Sequence, residues 1–264
     1  SVWDLSRHSA GMMVRFKTDA NAVHAKWKVT SSRLGMPHMP PSGVSGLDLY
    51  ARDTQGKWRW AAATLPAKQE MQVTLLRGIK PELREYALYL PLYNGTESLA
   101  VGVPAGSNFQ GLAPRKARPL IFYGTSITQG ACASRPGMAY PAILGRWLNM
   151  PVINIGFSGN GKMHEEVGDL LIEMDAAAYI IDCLPNMNGA MVTERCVPLV
   201  KQLRKARADT PIVLVEDRRF PNSWLVPDKS KFHDDNHVAL RKAYQELKAV
   251  GVKFSHEESL LDLQ

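Results

Sequence analysis

The hydrophobic pattern of this chain changes period part-way along, and that change limits the folds open to it. Up to about residue 103, apolar residues recur at every second position. Val23, Ala25, Trp27 and Val29 alternate with His24, Lys26 and Lys28. The same spacing returns in Leu47, Leu49 and Ala51, in Met71, Val73 and Leu75, in Tyr86, Leu88 and Leu90, and in Leu99, Val101 and Val103. A period of two places alternate side chains on one buried face, so these stretches are predicted strands. Asp53-Thr54-Gln55-Gly56 and Asn94-Gly95 supply turn chemistry between them. Short strands at this spacing, with no long helical pattern, predict an antiparallel β-sandwich over residues 1–112. Trp58 and Trp60, two apart on one strand face, are read as part of its core, like Trp27, with a sugar-stacking platform as the alternative.

Residues 106–118 are rich in Gly, Pro and Arg and read as a linker. Beyond it, apolar runs at 120–123, 152–155, 179–181 and 212–215, with a weaker one at 252–254, alternate with helical spacings. Ile143, Leu144, Trp147 and Leu148 form one such spacing, Val167, Leu170, Leu171 and Met174 another, and 232–249 also reads as a helix. Alternating strand and helix predicts an α/β domain over 113–264, a parallel sheet with helices on both faces.

The 264 residues are 45% hydrophobic, enough for two modest cores. The net charge of +7 is scattered, and no basic stripe is interleaved with aromatics, so nucleic acid is not the indicated partner. An anionic polysaccharide or a membrane surface fits that charge. No window of roughly 18 apolar residues exists, which predicts no membrane-spanning helix. The chain opens on Ser1 and not Met, as after removal of a leader, which favours a periplasmic or secreted location. Cys132, Cys183 and Cys196 show no metal spacing. Buried free thiols are the default reading, with a Cys132–Cys183 disulfide as the alternative in an exported protein.

Ligands of open parallel sheets bind beyond the carboxyl ends of the strands. The segments there are Gly124-Thr125-Ser126, then GFSGNG (156–161), then DCLPNMN (182–188), then EDRRFPNSW (216–224). A serine at a strand-to-helix turn presents its hydroxyl, glycines let backbone N–H groups approach an oxyanion, and an asparagine amide adds a donor. The glycine loop is not a phosphate cradle, because Gly161-Lys162 is followed by Met163.

YGTSITQG, NIGFSGNG and DCLPNMN resemble, in order and interval, the first three motif blocks of the SGNH (GDSL-like) hydrolases. The resemblance implies a flavodoxin-like three-layer α/β/α domain, and the N-terminal half looks like the jelly-roll domain of a carbohydrate-esterase-like branch. It implies Ser126 as nucleophile, with Ser126 N–H, Gly159 N–H and the Asn186 side chain as oxyanion donors. It implies ester hydrolysis, O-acetyl removal from a carbohydrate above all, with no metal and no organic cofactor. Thr125 stands where the family has Asp. With Arg218 and Trp224, it makes the candidate substrate contacts.

The family's last block, an Asp-x-x-His whose histidine moves the serine proton, is expected where this sequence stops at Leu261-Asp262-Leu263-Gln264. The base is therefore expected beyond Gln264. His237, in Asp234-Asp235-Asn236-His237, is the weaker substitute, and His164 and His256 are weaker still. Two rival functions stand beside the esterase: an inactive carbohydrate-binding protein on the same scaffold, and a lipase or thioesterase.

Overall fold

The computed structural model describes residues 1–249 and residue 252. The expected run at 252–254, apart from Val252, lies outside them, as do His256 and the tail. The chain forms two units, residues 1–116 with 129–154, and residues 117–128 with those from 155 onward.

The first unit is built on eight strands. They are β1 (Met13–Thr18), β2 (Ala22–Val29), β3 (Asp48–Arg52), β4 (Trp58–Ala63), β5 (Glu70–Arg77), β6 (Arg84–Tyr89), β7 (Thr96–Gly102) and β8 (Phe109–Gly111). Two short helices, α1 (Val2–Ser6) and α2 (Pro41–Val44), lie among them. One antiparallel sheet runs β4-β3-β6-β1-β8 and the other β5-β2-β7. Phe16, Val23, Trp27, Leu49, Tyr86 and Leu88 share one buried core. Each such side chain taken from water contributes roughly 1.5–3 kcal/mol. Trp27 stays satisfied because its indole N–H donates to the Ser45 carbonyl at 3.2 Å.

Trp58 and Trp60 correct the sequence expectation. Neither belongs to the sandwich core; Trp60 is 54% exposed. The ladder between β3 and β4 shifts register between Leu49 and Tyr50, and Tyr50 pairs with Trp60. The two indoles therefore line a cleft with Tyr50 and not the sandwich interior.

Strand β3 is buried on both faces. Leu47 and Leu49 enter the core, and Asp48 and Tyr50, which alternate with them, are covered too. Asp48 Oδ2 accepts from Gly137 N–H at 2.8 Å and Oδ1 from the Trp60 indole at 3.1 Å, while Arg135 Nε lies 3.4 Å away. Desolvation outweighs these partners and raises the carboxyl from 3.8 to about 6. Between those values the folded chain holds a proton that the unfolded chain has released. Stability is therefore expected to fall as pH rises through this window, by up to ~3 kcal/mol. Melting temperatures at about pH 4 and about pH 7 test this: Asp48→Asn should flatten the dependence, and an unchanged slope would assign it elsewhere.

A four-stranded sheet carries β9 (Leu120–Gly124), β10 (Val152–Gly156), β11 (Ala178–Asp182) and β12 (Ile212–Leu214) in the order β10-β9-β11-β12, with residues 152–154 of β10 falling in the first unit. The pairs of β11 with β9 and with β12 are parallel. Between β9 and β10 the chain forms α3 (Ser126–Gln129) and α4 (Tyr140–Trp147). The later helices are α5 (Glu165–Ile172), α6 (Gly189–Ala206) and α7 (Pro227–Ala249). This is the flavodoxin-like order, and a sandwich precedes it, as expected. α5 packs on α6 and α6 on α7. Right-handed crossovers from β10 to β11 to β12 put α5 and α6 on one face. Ile121, Phe122, Tyr123, Tyr179 and Ile181 are fully buried, which is why the strands read as continuous apolar runs.

Candidate active site

The strand order reverses direction at β9: the chain moves to β10 on one side and then to β11 on the other. Loops leaving the carboxyl ends of β9 and β11 diverge there and open the crevice typical of such sheets. Ser126 follows β9 and Asn186 follows β11, and Gly124 and Asp182 pair across the two strand ends.

The turn at Ser126 is made by close backbone approach. A Cβ on Gly124 would lie 2.0 Å from Thr128 Oγ1 and 2.7 Å from the Asp182 carbonyl. Thr125 is fully buried, and its Oγ1 accepts from Ile127 N–H at 3.3 Å. That corrects its reading as a substrate contact: it caps the first turn of α3. Ser126 is the first residue of that helix and is half-buried. Thr128 Oγ1 donates to Asp182 Oδ2 at 3.2 Å and so ties α3 to the end of β11.

The glycine loop docks on the same turn. Phe157 N–H donates to the Gly124 carbonyl at 2.9 Å. The N–H groups of Asn160 and Gly161 return to the Phe157 carbonyl at 2.9 and 2.8 Å. Gly161 packs so tightly that a Cβ would sit 1.9 Å from the Gly124 oxygen. Gly159 differs: its φ is +70°, it is exposed, and nothing lies within 4 Å of its Cβ position. Its backbone thus projects from the loop with free space around it.

Asn186 ends a 3-10 turn (Leu184–Asn186) and is half-buried. Its amide is best satisfied with Oδ1 accepting from the N–H groups of Asn160 and Gly161, both at 3.3 Å. That orientation anchors the oxygen on the glycine loop and directs the NH2 at acceptors. The structure therefore brings together the Ser126 turn, the glycine loop and Asn186.

Arg218 and Trp224 lie on the loop after β12, which β11 separates from β9. Both are exposed, Trp224 to 83%. The loop is held to α7 by groups among which sequence reasoning missed His233 and the role of Asp217. Phe220 N–H donates to His233 Nε2 at 2.9 Å, so the His233 ring proton sits on Nδ1 and is donated to Asp217 Oδ2 at 2.5 Å. His237 Nε2 lies 2.9 Å from both Oδ1 and the backbone carbonyl of Asp217, and so carries a proton too. Arg219 pairs with Asp234. The one available signal was the i, i+4 spacing of His233 and His237 on a predicted helix.

Asp217, His233 and His237 are close enough to surround an ion. However, the ring nitrogens that face the carboxylate hold protons where a ligand needs a lone pair. His237 Nδ1 faces Glu216 at 3.8 Å, and Arg241 holds that carboxylate at 2.7 Å. His237 is thus committed to the β12 loop. The Asp-x-x-His expected at the tail lies outside the described residues.

Cys132, Cys183 and Cys196 are all free. Cys132 is exposed while Cys183 and Cys196 are buried, so the alternative Cys132–Cys183 pairing is not formed. Burial raises the Cys183 thiol far above its ordinary range and pushes Cys196 up to about 12.

Residues 117–260 match the model of the GDSL-like lipase/acylhydrolase family. Residues 1–109 match the N-terminal domain model of SGNH-hydrolase-type esterases, called GxDLY; Gly46-Leu47-Asp48-Leu49-Tyr50 spells that motif here. Among solved structures, a GDSL-like lipase from Bacteroides ovatus ATCC 8483 is 35% identical, with a TM-score of 0.91 over 96% of this chain and 74% of its own. A salicylyl-acyltransferase from a tetracycline biosynthetic pathway is 19% identical, with a TM-score of 0.70 over 93% and 69%. A family two carbohydrate esterase from Clostridium thermocellum, in complex with cellohexaose, is 14% identical, with a TM-score of 0.65 over 92% and 80%. The last two share the fold. No curated protein matches the sequence.

Proposed function

Because the chain belongs to the GDSL-like lipase/acylhydrolase family, we propose that it is a serine esterase that removes acetyl or similar acyl groups from a carbohydrate. The observation that supports this most is the convergence of the Ser126 turn, the glycine loop and Asn186 where strand order reverses. Ser126 Oγ attacks the acyl carbon and its proton passes to a base, which then protonates the departing sugar hydroxyl. Water hydrolyses the resulting acyl-enzyme by the same steps in reverse. Ser126 N–H, Gly159 N–H and Asn186 Nδ2 hold the oxyanion. A donor fixed in advance costs no reorganisation as charge develops, and Asn186 is fixed through its own oxygen.

No described residue is assigned as the base: His237 has its Nε2 bound to Asp217. Arg218 and Trp224 form the substrate rim, the ring for a sugar face and the guanidinium for a carboxylate. We propose boundaries of 1–112 for the sandwich and 113–264 for the hydrolase; the two compact units differ from these in giving 129–154 to the first.

The test is acetate release from O-acetylated oligosaccharides and from p-nitrophenyl acetate by the full-length protein. Turnover of both is expected, and Asn186→Ala should lower kcat about 10²–10³-fold with little change in KM. Intact substrates would refute the esterase, and unchanged kcat in Asn186→Ala would remove that donor from the mechanism.

A further inference from the structure

The sandwich unit contains a cleft of about 770 Å³, within the range of small-molecule sites. Its walls are β3, β4, the turn between them, and residues 135–149. None of its lining residues belongs to the Ser126 turn, the glycine loop or the Asn186 turn. Three tryptophans meet there: Trp58, Trp60 and Trp147. Trp60 and Trp147 are 54% and 78% exposed, an expensive use of large apolar rings unless something covers them.

Two of the three rings are held in place. Trp60 donates to the buried Asp48 carboxylate, and Arg135 lies 5.1 Å above its face. Arg52 lies 4.3 Å above Trp58, and Arg146 lies 4.0 Å above Tyr50. Side chains fixed before a ligand arrives lose little freedom when it binds. The charge of the lining has one sign. Arg52, Lys57, Arg59, Arg135 and Arg146 face the cleft and no Asp or Glu does. Among the described residues three acids, Glu85, Asp53 and Asp48, are paired with these five cations, which leaves positive charge in excess.

Flat indole faces take the C–H faces of sugar rings, and guanidinium and ammonium groups take carboxylates. We propose that this cleft binds an acidic oligosaccharide, one whose sugar units carry carboxylates, as a second glycan site separate from ester hydrolysis. A polyphosphate chain is the poorer fit, because the cations sit beside and over the rings and do not run along a groove.

The probe is tetragalacturonate, with cellotetraose as the neutral control, titrated calorimetrically into the full-length protein. Saturable binding of the acidic tetramer is expected, about tenfold tighter than the neutral one and weakened by raising NaCl from about 50 to about 500 mM. Trp147→Ala and Lys57→Glu, both changes at exposed side chains, should each weaken it by about tenfold. Ser126→Ala should leave it unchanged. Equal affinity for both tetramers, no binding of either, or indifference to Trp147→Ala would overturn the proposal. So would loss of binding in Ser126→Ala, which would place the ligand at the ester site. Failure of the esterase assay leaves this result standing, so the two readings fail separately.

Discussion

Ser126→Ala is expected to lower kcat/KM for p-nitrophenyl acetate by about 10³-fold or more while the protein stays folded. Ser126 is half-buried at the start of α3, and the turn itself is held by Gly124, Thr125 and the glycine loop. Alanine fits helical backbone without strain. A residual rate above the uncatalysed one should persist, because the oxyanion donors remain. A fluorophosphonate probe followed by mass mapping gives the same answer without a chosen substrate: the label should sit on Ser126 and be absent from the variant. A variant that keeps a tenth of wild-type activity would remove Ser126 as nucleophile.

Gly161→Ala is expected to be the most damaging single methyl group in the second unit. Its Cβ would lie 1.9 Å from the Gly124 oxygen and 2.5 Å from the Gly124 carbonyl carbon, and backbone cannot swing aside as a side-chain tip can. One of the two loops must move by more than 1 Å, since Cβ contacts below 3.0 Å are essentially never seen. The cost is about 3 kcal/mol, the upper end for overpacking, and esterase activity should fall with it. Gly159→Ala is the control. Its Cβ meets nothing within 4 Å, and its φ of +70° costs an alanine only about 1–2 kcal/mol. Urea denaturation of both variants measures the difference. A Gly161→Ala protein as stable as Gly159→Ala would show that the two loops do not touch as described.

The parts legible in the sequence are those dictated by near neighbours. Period-two stretches became β2, β3, β5, β6 and β7, and the four apolar runs became β9 to β12. The Ser126 turn and the glycine loop were visible because glycine marks close backbone approach wherever it stands. Asp48 was hidden inside an alternating strand, since its burial depends on Gly137 and Arg135, about ninety residues away. Trp60 looked like core because its alternation is that of a buried strand; only the register shift in β3 and the cleft behind it turn the ring outward. Thr125 lies beside Ser126 in sequence, whereas the turn folds its side chain inward as a cap. The helix predicted from 232 begins at Pro227, a residue preorganised for a first helical position. His233 carried no sequence signal for its partner, because Asp217 reaches it only through the tertiary fold.

The β12 loop and the Ser126 turn are fastened to different supports. Asp217 and Phe220 lock onto α7, whereas Ser126 is framed by Gly124, Thr128, Asp182 and the glycine loop. Exchanges at Arg218, Trp224 or Leu225 therefore leave the bonds around Ser126 untouched. In the esterase proposed above, the loop tip can change its chemistry in single steps, each leaving the Ser126 turn in place, provided Asp217 and His233 stay. Divergence in what is recognised need not pass through a catalytically broken intermediate.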